Sequence, residues 1–134
     1  MVAFDVFEHL TPETIIAKLA AIDRLLRPGG RLLLRYPNGQ SPFGLAPQNA
    51  DATHIVALSR AKIEQYADGT SLETIRYGGV ARPIAPKIIT RAARSVRYFL
   101  RDLHMAALRF IYAADVELEA NVCQLMVKRS IGKH

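Results

Sequence analysis

The chain has 134 residues, half of them hydrophobic and 22% charged, which is typical of one globular domain with one core. Its formal net charge of +6 is concentrated in one segment. The stretch from Arg82 to Arg109 holds seven basic residues and one acidic residue, whereas the rest of the chain has eleven basic and eleven acidic residues. The single cysteine, Cys123, excludes an intramolecular disulfide and a Cys-x-x-Cys zinc site, and the absence of a signal or membrane-span pattern predicts a cytoplasmic protein.

Two short apolar runs flank a helical pattern in the first third of the chain. Val2 to Phe7 predicts a buried strand, and Leu32 to Leu34, between two arginines, predicts a strand buried on both faces. The helix between them begins after Thr11, with Pro12 at its first position, and ends at Pro28-Gly29-Gly30. Strand, helix and strand form a right-handed βαβ unit, so the predicted fold class is α/β with an open sheet.

The rest of the chain predicts a long loop, two further helices and two further strands. The loop, Tyr36 to Thr53, follows the carboxyl end of the second strand, where loops of parallel sheets usually carry function. Ser59 caps the second helix, and the third helical segment is basic, with an expected break near its middle. The expected elements are a helix at 60–67, a strand at 71–77 ended by Gly78-Gly79, a helical segment at 85–113 and a strand at 121–128.

Four short motifs follow one another in this architecture. They are Phe4-Asp5-Val6-Phe7-Glu8-His9-Leu10, Leu25-Leu26-Arg27-Pro28-Gly29-Gly30-Arg31-Leu32, Tyr36-Pro37-Asn38, and Asp51-Ala52-Thr53-His54 with Leu58-Ser59. In this order they resemble the C-terminal half of class I S-adenosylmethionine-dependent methyltransferases, most closely the branch associated with polysaccharide and glycan biosynthesis. The resemblance implies a single domain with a partial Rossmann-like sheet: the family's strands four, five and six, with an antiparallel strand seven between five and six.

The resemblance also implies a cofactor, S-adenosylmethionine, and methyl transfer to an oxygen of a saccharide or another small acceptor. It places cofactor contacts at Phe4, Asp5 and Phe7, and substrate contacts at Pro37, Asn38 and Phe43. The alternatives are that the two phenylalanines before Glu8 are core residues, that Asp5 caps a turn, and that the loop residues only shape turns.

His54 is the candidate catalytic base, with Asp51 beside it at the end of the long loop. An oxygen that attacks a sulfonium methyl group benefits from loss of its proton, which an imidazole can accept. The alternative is that His54 only hydrogen-bonds the loop backbone. A catalytic Glu8-His9 pair is disfavoured because adjacent side chains do not face each other. No metal is expected at Asp51 and His54, since too few further ligands lie nearby in the sequence.

The family's glycine-rich cofactor loop and its ribose-binding acid have no counterpart in this sequence, and Met1 aligns inside the family's fourth strand. We therefore expect a natural truncation, an internal start or a fragment that is inactive alone and binds S-adenosylmethionine poorly. The open sheet edge at Val2 to Phe7 predicts a homo-oligomer or a companion chain. A non-catalytic subunit that binds protein through this edge is the contrasting hypothesis.

The basic segment predicts an amphipathic helix. At about 100° per residue, the basic side carries Lys87, Arg91, Arg94, Arg97 and Arg101, and the opposite side carries apolar residues between Ala92 and Phe110. The apolar side either packs on the sheet or helps to bind an anionic membrane surface or a phosphate-bearing, lipid-linked glycan. Binding to an anionic membrane surface would place the protein at the inner membrane face. No specific nucleic-acid partner is expected, because a recognisable reading motif is absent.

Overall fold

A mixed four-stranded sheet forms the centre of the protein in the computed structural model, which describes residues 1–79, 88–113 and 117–129. The elements are β1 (Val2–Phe4), a 3-10 turn (Phe7–His9), α1 (Pro12–Leu25), β2 (Arg31–Pro37), α2 (Leu45–Asn49), α3 (Arg60–Tyr66), β3 (Leu72–Gly79), α4 (Ile88–Tyr112) and β4 (Asn121–Lys128).

The strands lie in the order β1-β2-β4-β3. β1 pairs with β2 in parallel, with Ala3 opposite Leu34, and β4 is antiparallel to both β2 and β3. β3 therefore runs parallel to β2, and the last strand is inserted between them. This arrangement confirms the predicted α/β fold class, including the antiparallel strand between the second and third parallel strands.

The connection from β1 to β2 follows from local sequence signals. The Thr11 hydroxyl accepts a hydrogen bond from the backbone N–H of Thr14 at 3.3 Å, and Pro12 occupies the first turn of α1. After α1, Gly29 adopts a φ of +75°, which costs glycine little, and its N–H donates to the carbonyl of Lys128 at 2.9 Å. The turn between α1 and β2 is thus fixed to the end of β4.

The core lies on one face of the sheet, under α1 and α3. Alternate residues of β2 and β4 point into it, and buried residues of the two helices cover them. Its main members are Ile15, Leu19, Leu32, Leu34, Tyr36, Ile63, Val122 and Met126.

One buried polar group shares this core. The amide of Gln124 accepts a hydrogen bond from the Tyr36 hydroxyl and donates one to the Thr74 hydroxyl at 2.7 Å. Both polar atoms of the Gln124 amide are therefore hydrogen-bonded, whereas a buried amide without partners would destabilise the fold. Burial also raises the pKa of Tyr36 far above its ordinary range, so this hydroxyl stays a donor.

The structure differs from the sequence prediction near β1. The strand ends at Phe4 instead of Phe7, because Asp5 turns the backbone with a φ of +52° and the following residues form the 3-10 turn. β1 is also exposed rather than buried, since no described strand pairs with its outer edge. On β2, Leu33 is only half-buried, so the strand is covered fully on one face alone.

Other differences concern the loop and the later elements. The long loop contains a short helix, α2, and β3 continues through Gly79 instead of ending before it. α4 is continuous from Ile88 to Tyr112, without the expected break. The expected helix start at 85–87, with Lys87, lies outside the described residues. In the ranges that the structure describes, no helix combines the length and the apolar character needed to cross a bilayer.

Candidate functional site

Polar side chains gather at the carboxyl edge of β1 and β2. The backbone N–H groups of Ile55 and Val56 donate to the carbonyl of Glu8 at 2.8 and 3.2 Å, which docks the end of the long loop on the 3-10 turn. This contact brings the ring of His54 against that of His9, with 4.6 Å between centroids and 63° between planes. We call Glu8, His9, Asp51, Thr53 and His54 the carboxyl-edge cluster.

Glu8 is the buried member of the carboxyl-edge cluster. Its side chain is 1% exposed, and neither carboxylate oxygen has a hydrogen-bond partner among the residues that the structure describes. Burial raises the pKa of Glu8 and the negative charge of Asp5 adds to the effect, whereas the polar backbone of Glu8 itself and the two neighbouring imidazoles oppose it. A buried carboxyl group without partners is costly, so this group requires a structural or functional explanation.

The hydrogen bonds of His9 determine its tautomer. Its Nδ1 lies 2.8 Å from the hydroxyl oxygen of Thr53 and 3.2 Å from the Thr53 carbonyl oxygen. That hydroxyl donates its own proton to Asp51 at 2.6 Å, so both Thr53 oxygens act as acceptors toward the ring. Nδ1 therefore carries the proton, and Nε2 of His9 retains a lone pair.

His54 has the same tautomer for a similar reason. Its Nδ1 lies 3.0 Å from the carbonyl oxygen of Gln48, which can only accept a hydrogen bond. The lone pair is therefore on Nε2, which lies 3.9 Å from a carboxylate oxygen of Asp51. His54 thus makes the backbone hydrogen bond considered in the sequence analysis and still presents a basic nitrogen.

Asp51 organises the loop that carries His54. Its carboxylate accepts the backbone N–H of Thr53 at 2.9 Å as well as the Thr53 hydroxyl. These two hydrogen bonds lower the pKa of Asp51, so the group is an anion at neutral pH. Asp51 therefore holds a negative charge close to the His54 ring and is linked to His9 through Thr53.

The residues expected to contact the cofactor lie at the same edge of the sheet. Phe4 is 46% exposed, with the Arg35 guanidinium 5.6 Å from its ring centroid, and the Asp5 carboxylate forms an ion pair with that guanidinium. Phe7 is 3% exposed and belongs to the core. Phe4 and Asp5 are therefore accessible to a ligand, whereas Phe7 packs in the core.

The three residues expected to contact the substrate differ in burial. Pro37 and Asn38 are buried at the end of β2, and the Asn38 amide donates to the Glu117 carbonyl at 2.7 Å and accepts the backbone N–H of Gln40 at 3.2 Å. Phe43 is 60% exposed on the long loop. Asn38 thus fixes the loop, and Phe43 is the one of the three that can contact a bound molecule.

The four arginines Arg91, Arg94, Arg97 and Arg101 lie on α4 and are not part of the carboxyl-edge cluster. Arg101 forms an ion pair with Glu119, with 2.5 Å between Nη2 and Oε1, and this pair joins α4 to the segment before β4. The apolar side of α4 is exposed along its length, including Val96, Phe99, Leu103 and Phe110. Packing of this side on the sheet, as one alternative predicted, is therefore not what the structure shows.

The sequence alone does not predict that Glu8 and His9 belong to one site with His54. One ligand atom from each of these three residues lies within 4.8 Å of the others. The expectation that too few metal ligands lie nearby rests on neighbours in sequence, whereas the fold also brings the carboxyl group of Glu8 and the imidazole of His9 close to His54. A sequence signal was present: the Glu8-His9 pair directly follows a strand, at the edge where open α/β sheets bind ligands.

The solved structures that share this fold include the two described next. One is an S-adenosylmethionine-dependent methyltransferase from Archaeoglobus fulgidus, 14% identical, with a TM-score of 0.55 over 95% of this chain and 57% of that one. The other is the complex between the Trm112 methyltransferase activator and a methyltransferase of Haloferax volcanii, 15% identical, with a TM-score of 0.56 over 99% of this chain and 54% of that one.

This chain thus spans just over half the length of each of these two proteins. No protein-family model and no curated protein sequence matches it. At these identities the likeness shows the fold alone, an α/β fold that the chain shares with the two solved structures.

Proposed function

We propose that this chain forms the acceptor side of an S-adenosylmethionine-dependent methyltransferase that methylates an oxygen of a saccharide or another small molecule. The observation that carries the proposal is His54, which presents the lone pair of Nε2 at the carboxyl edge of β1 within a methyltransferase fold. Open α/β sheets bind their ligands at this edge. The polysaccharide-related motifs described above support the choice of a saccharide acceptor.

The chemistry follows from the positions of His54 and Asp51. When bound, S-adenosylmethionine supplies an electrophilic methyl group on a sulfonium. The cofactor would leave as a neutral thioether after giving up its methyl group, and Nε2 of His54 would accept the proton that the acceptor hydroxyl loses. The Asp51 carboxylate, 3.9 Å from Nε2, stabilises the imidazolium that forms.

The residues near Phe4 suit a cofactor that carries positive charge. Phe4 and Asp5 already hold one cation, the guanidinium of Arg35, over an aromatic ring and beside a carboxylate. A sulfonium group is stabilised by the same two kinds of contact. We therefore assign cofactor contacts to Phe4 and Asp5, and a supporting role to Phe7.

The remaining cofactor contacts are proposed to come from a segment with a glycine-rich loop, encoded upstream in frame or carried by a companion chain. The exposed outer edge of β1, with Val2 59% exposed, is a suitable surface for such a segment. One of the two similar structures is a methyltransferase bound to an activator chain, which is consistent with a companion. A second copy of this chain is the other candidate occupant.

The experiment is a methyl-transfer assay on this chain together with that segment, which we refer to as the complete enzyme. Labelled S-adenosylmethionine is supplied with a panel of saccharide and non-saccharide alcohols. We expect label to be transferred to acceptor oxygen. Transfer to nitrogen or carbon acceptors alone would contradict the assignment of the acceptor, and no transfer to any class would contradict the proposal.

A second candidate function, attachment to an anionic membrane surface, is favoured by the exposed apolar side of α4. Phe99 is 66% exposed and Phe110 is 89% exposed, although large aromatic side chains are usually buried. Arg91 and Arg97 are exposed on the same helix. Apolar and basic sides along one helix are the pattern of helices that lie in a membrane interface.

We expect binding to vesicles with acidic lipids that weakens steeply as salt is added, because exposed charges are screened within about 10 Å at 0.1 M salt. Co-sedimentation measures the bound fraction. Replacing both Phe99 and Phe110 by serine should reduce binding at every salt concentration, and Arg91→Gln with Arg97→Gln should reduce it mainly at low salt. Equal binding to neutral and acidic vesicles, or none to either, would contradict the membrane function.

A further inference from the structure

We propose that Glu8, His9 and His54 form a binding site for a divalent transition-metal ion. One ligand atom from each residue lies within 4.8 Å of the others, so small side-chain rotations would bring all three to the distance of about 2.0–2.2 Å at which one ion is bound. The three residues come from two segments, the turn after β1 and the end of the long loop, which the hydrogen bonds to the Glu8 carbonyl hold together. The site is thus set by backbone contacts and does not depend on flexible surface side chains.

Glu8 provides an independent indication of a ligand. Its carboxylate is almost completely buried, and both oxygens lack a hydrogen-bond partner among the described residues. A carboxylate in this position needs a cation or several donors to offset its desolvation. A metal ion would supply the missing partner for this carboxylate, and the two neighbouring imidazoles would complete its protein ligands.

The two histidines are prepared as ligands by their other hydrogen bonds. Nδ1 of His9 donates to Thr53, and Nδ1 of His54 donates to the Gln48 carbonyl, which leaves Nε2 of each ring as the available ligand atom. Metal-binding histidines usually donate their second N–H to a carbonyl or a carboxylate, because this contact fixes the tautomer and the ring orientation. The link from His9 through Thr53 to Asp51 is an arrangement of this kind.

The ligand set determines the class of metal. Two imidazole nitrogens and one carboxylate oxygen suit Zn²⁺, Co²⁺, Mn²⁺ or Fe²⁺, whereas Mg²⁺ prefers oxygen ligands. His9 is only partly buried, so a bound ion would keep a position open toward solvent beside His9, whereas the side chain of His54 is 9% exposed. An ion held by Nε2 of His54 would occupy the lone pair that the proposed base uses, so in the metal-bound chain His54 cannot accept a proton.

The test is a titration of the purified, chelator-treated chain with Zn²⁺ by calorimetry and with Co²⁺ by visible absorption. Metal binding needs neither S-adenosylmethionine nor an acceptor, so this result is independent of the methyl-transfer assay. We expect one equivalent of each metal to bind, with a Co²⁺ spectrum showing nitrogen and oxygen ligation and a higher thermal midpoint in the presence of metal. Mg²⁺ is expected to bind at least tenfold more weakly than Zn²⁺.

Variants distinguish this site from adventitious binding. Glu8→Gln and His54→Gln should each weaken Zn²⁺ binding at least a hundredfold, and His9→Gln, at a partly exposed position, provides a third variant in case a substitution at a more buried position impairs folding. His104→Gln, on exposed α4, is the matched control and should bind like the parent. Unchanged binding in His9→Gln and His54→Gln, an equal loss in His104→Gln, or no saturable binding by the folded parent would overturn the proposal.

Discussion

Leu34→Ala is expected to lower the free energy of unfolding by about 3 kcal/mol, within the range of 2–5 kcal/mol typical of buried leucines. Leu34 is fully buried at the centre of β2, between β1 and β4, and belongs to the same core as Ile15 and Leu19. Its removal leaves a cavity that the strands on either side cannot easily close. Urea unfolding followed by circular dichroism measures the loss.

Leu33→Ala is the matched control for Leu34→Ala. Leu33 is the neighbouring residue of the same strand, but it points to the opposite face of the sheet and is only half-buried. We expect Leu33→Ala to lower the free energy of unfolding by about 1 kcal/mol, because less apolar surface is removed from a packed environment. Equal losses for the two substitutions would show that the core does not lie on the face described here.

His54→Gln is expected to lower the turnover of the complete enzyme at least about a hundredfold, which corresponds to about 2.7 kcal/mol of barrier. The glutamine amide can still donate to the Gln48 carbonyl, so the loop should keep its position. It cannot accept the proton of the acceptor hydroxyl, so the proposed base is lost. The measurement is initial velocity of methyl transfer at saturating cofactor.

His104→Gln is the matched control for His54→Gln, since it removes an exposed imidazole from α4 without touching the carboxyl-edge cluster. It should leave turnover unchanged. A His54→Gln variant with turnover within about threefold of the parent, a difference below roughly 1 kcal/mol, would exclude the base role.

The sheet was largely predictable because its signals are local. The βαβ unit follows from several such signals taken together: Thr11 and Pro12 at the start of α1, glycine after its end, and the apolar runs of the two strands. The inserted last strand was predictable only through the family resemblance, because an antiparallel position in a sheet depends on pairing between distant segments.

The carboxyl-edge cluster was only half predictable. His54 and Asp51 stood out by residue type and by their place at the end of the loop, but Glu8 and His9 were set aside on the argument that adjacent side chains do not face each other. Two side chains need to face each other only when they act as a pair without a third residue. Here His54, which the long loop carries, lies close to both Glu8 and His9. The three side chains therefore form one site although Glu8 and His9 do not face each other.

The surroundings of α4 were not predictable from its periodicity. The spacing of Val96, Phe99 and Phe110 indicates one apolar side, but it contains no information about what covers that side. The structure leaves it exposed, a result that depends on how α4 is attached, including the Arg101–Glu119 ion pair.

The central claim, that the carboxyl edge of β1 and β2 binds S-adenosylmethionine, is tested most directly by nuclear magnetic resonance of the ¹⁵N-labelled chain during titration with this cofactor. We predict shifts of the amide resonances at residues 4–9 and at His54, no shifts on α4, and a dissociation constant near the millimolar range, worth about 4 kcal/mol. ATP, which shares the adenosine but lacks the sulfonium, should cause smaller shifts at Phe4 and Asp5. Shifts confined to other parts of the chain, or none at the highest soluble concentration, would contradict the claim.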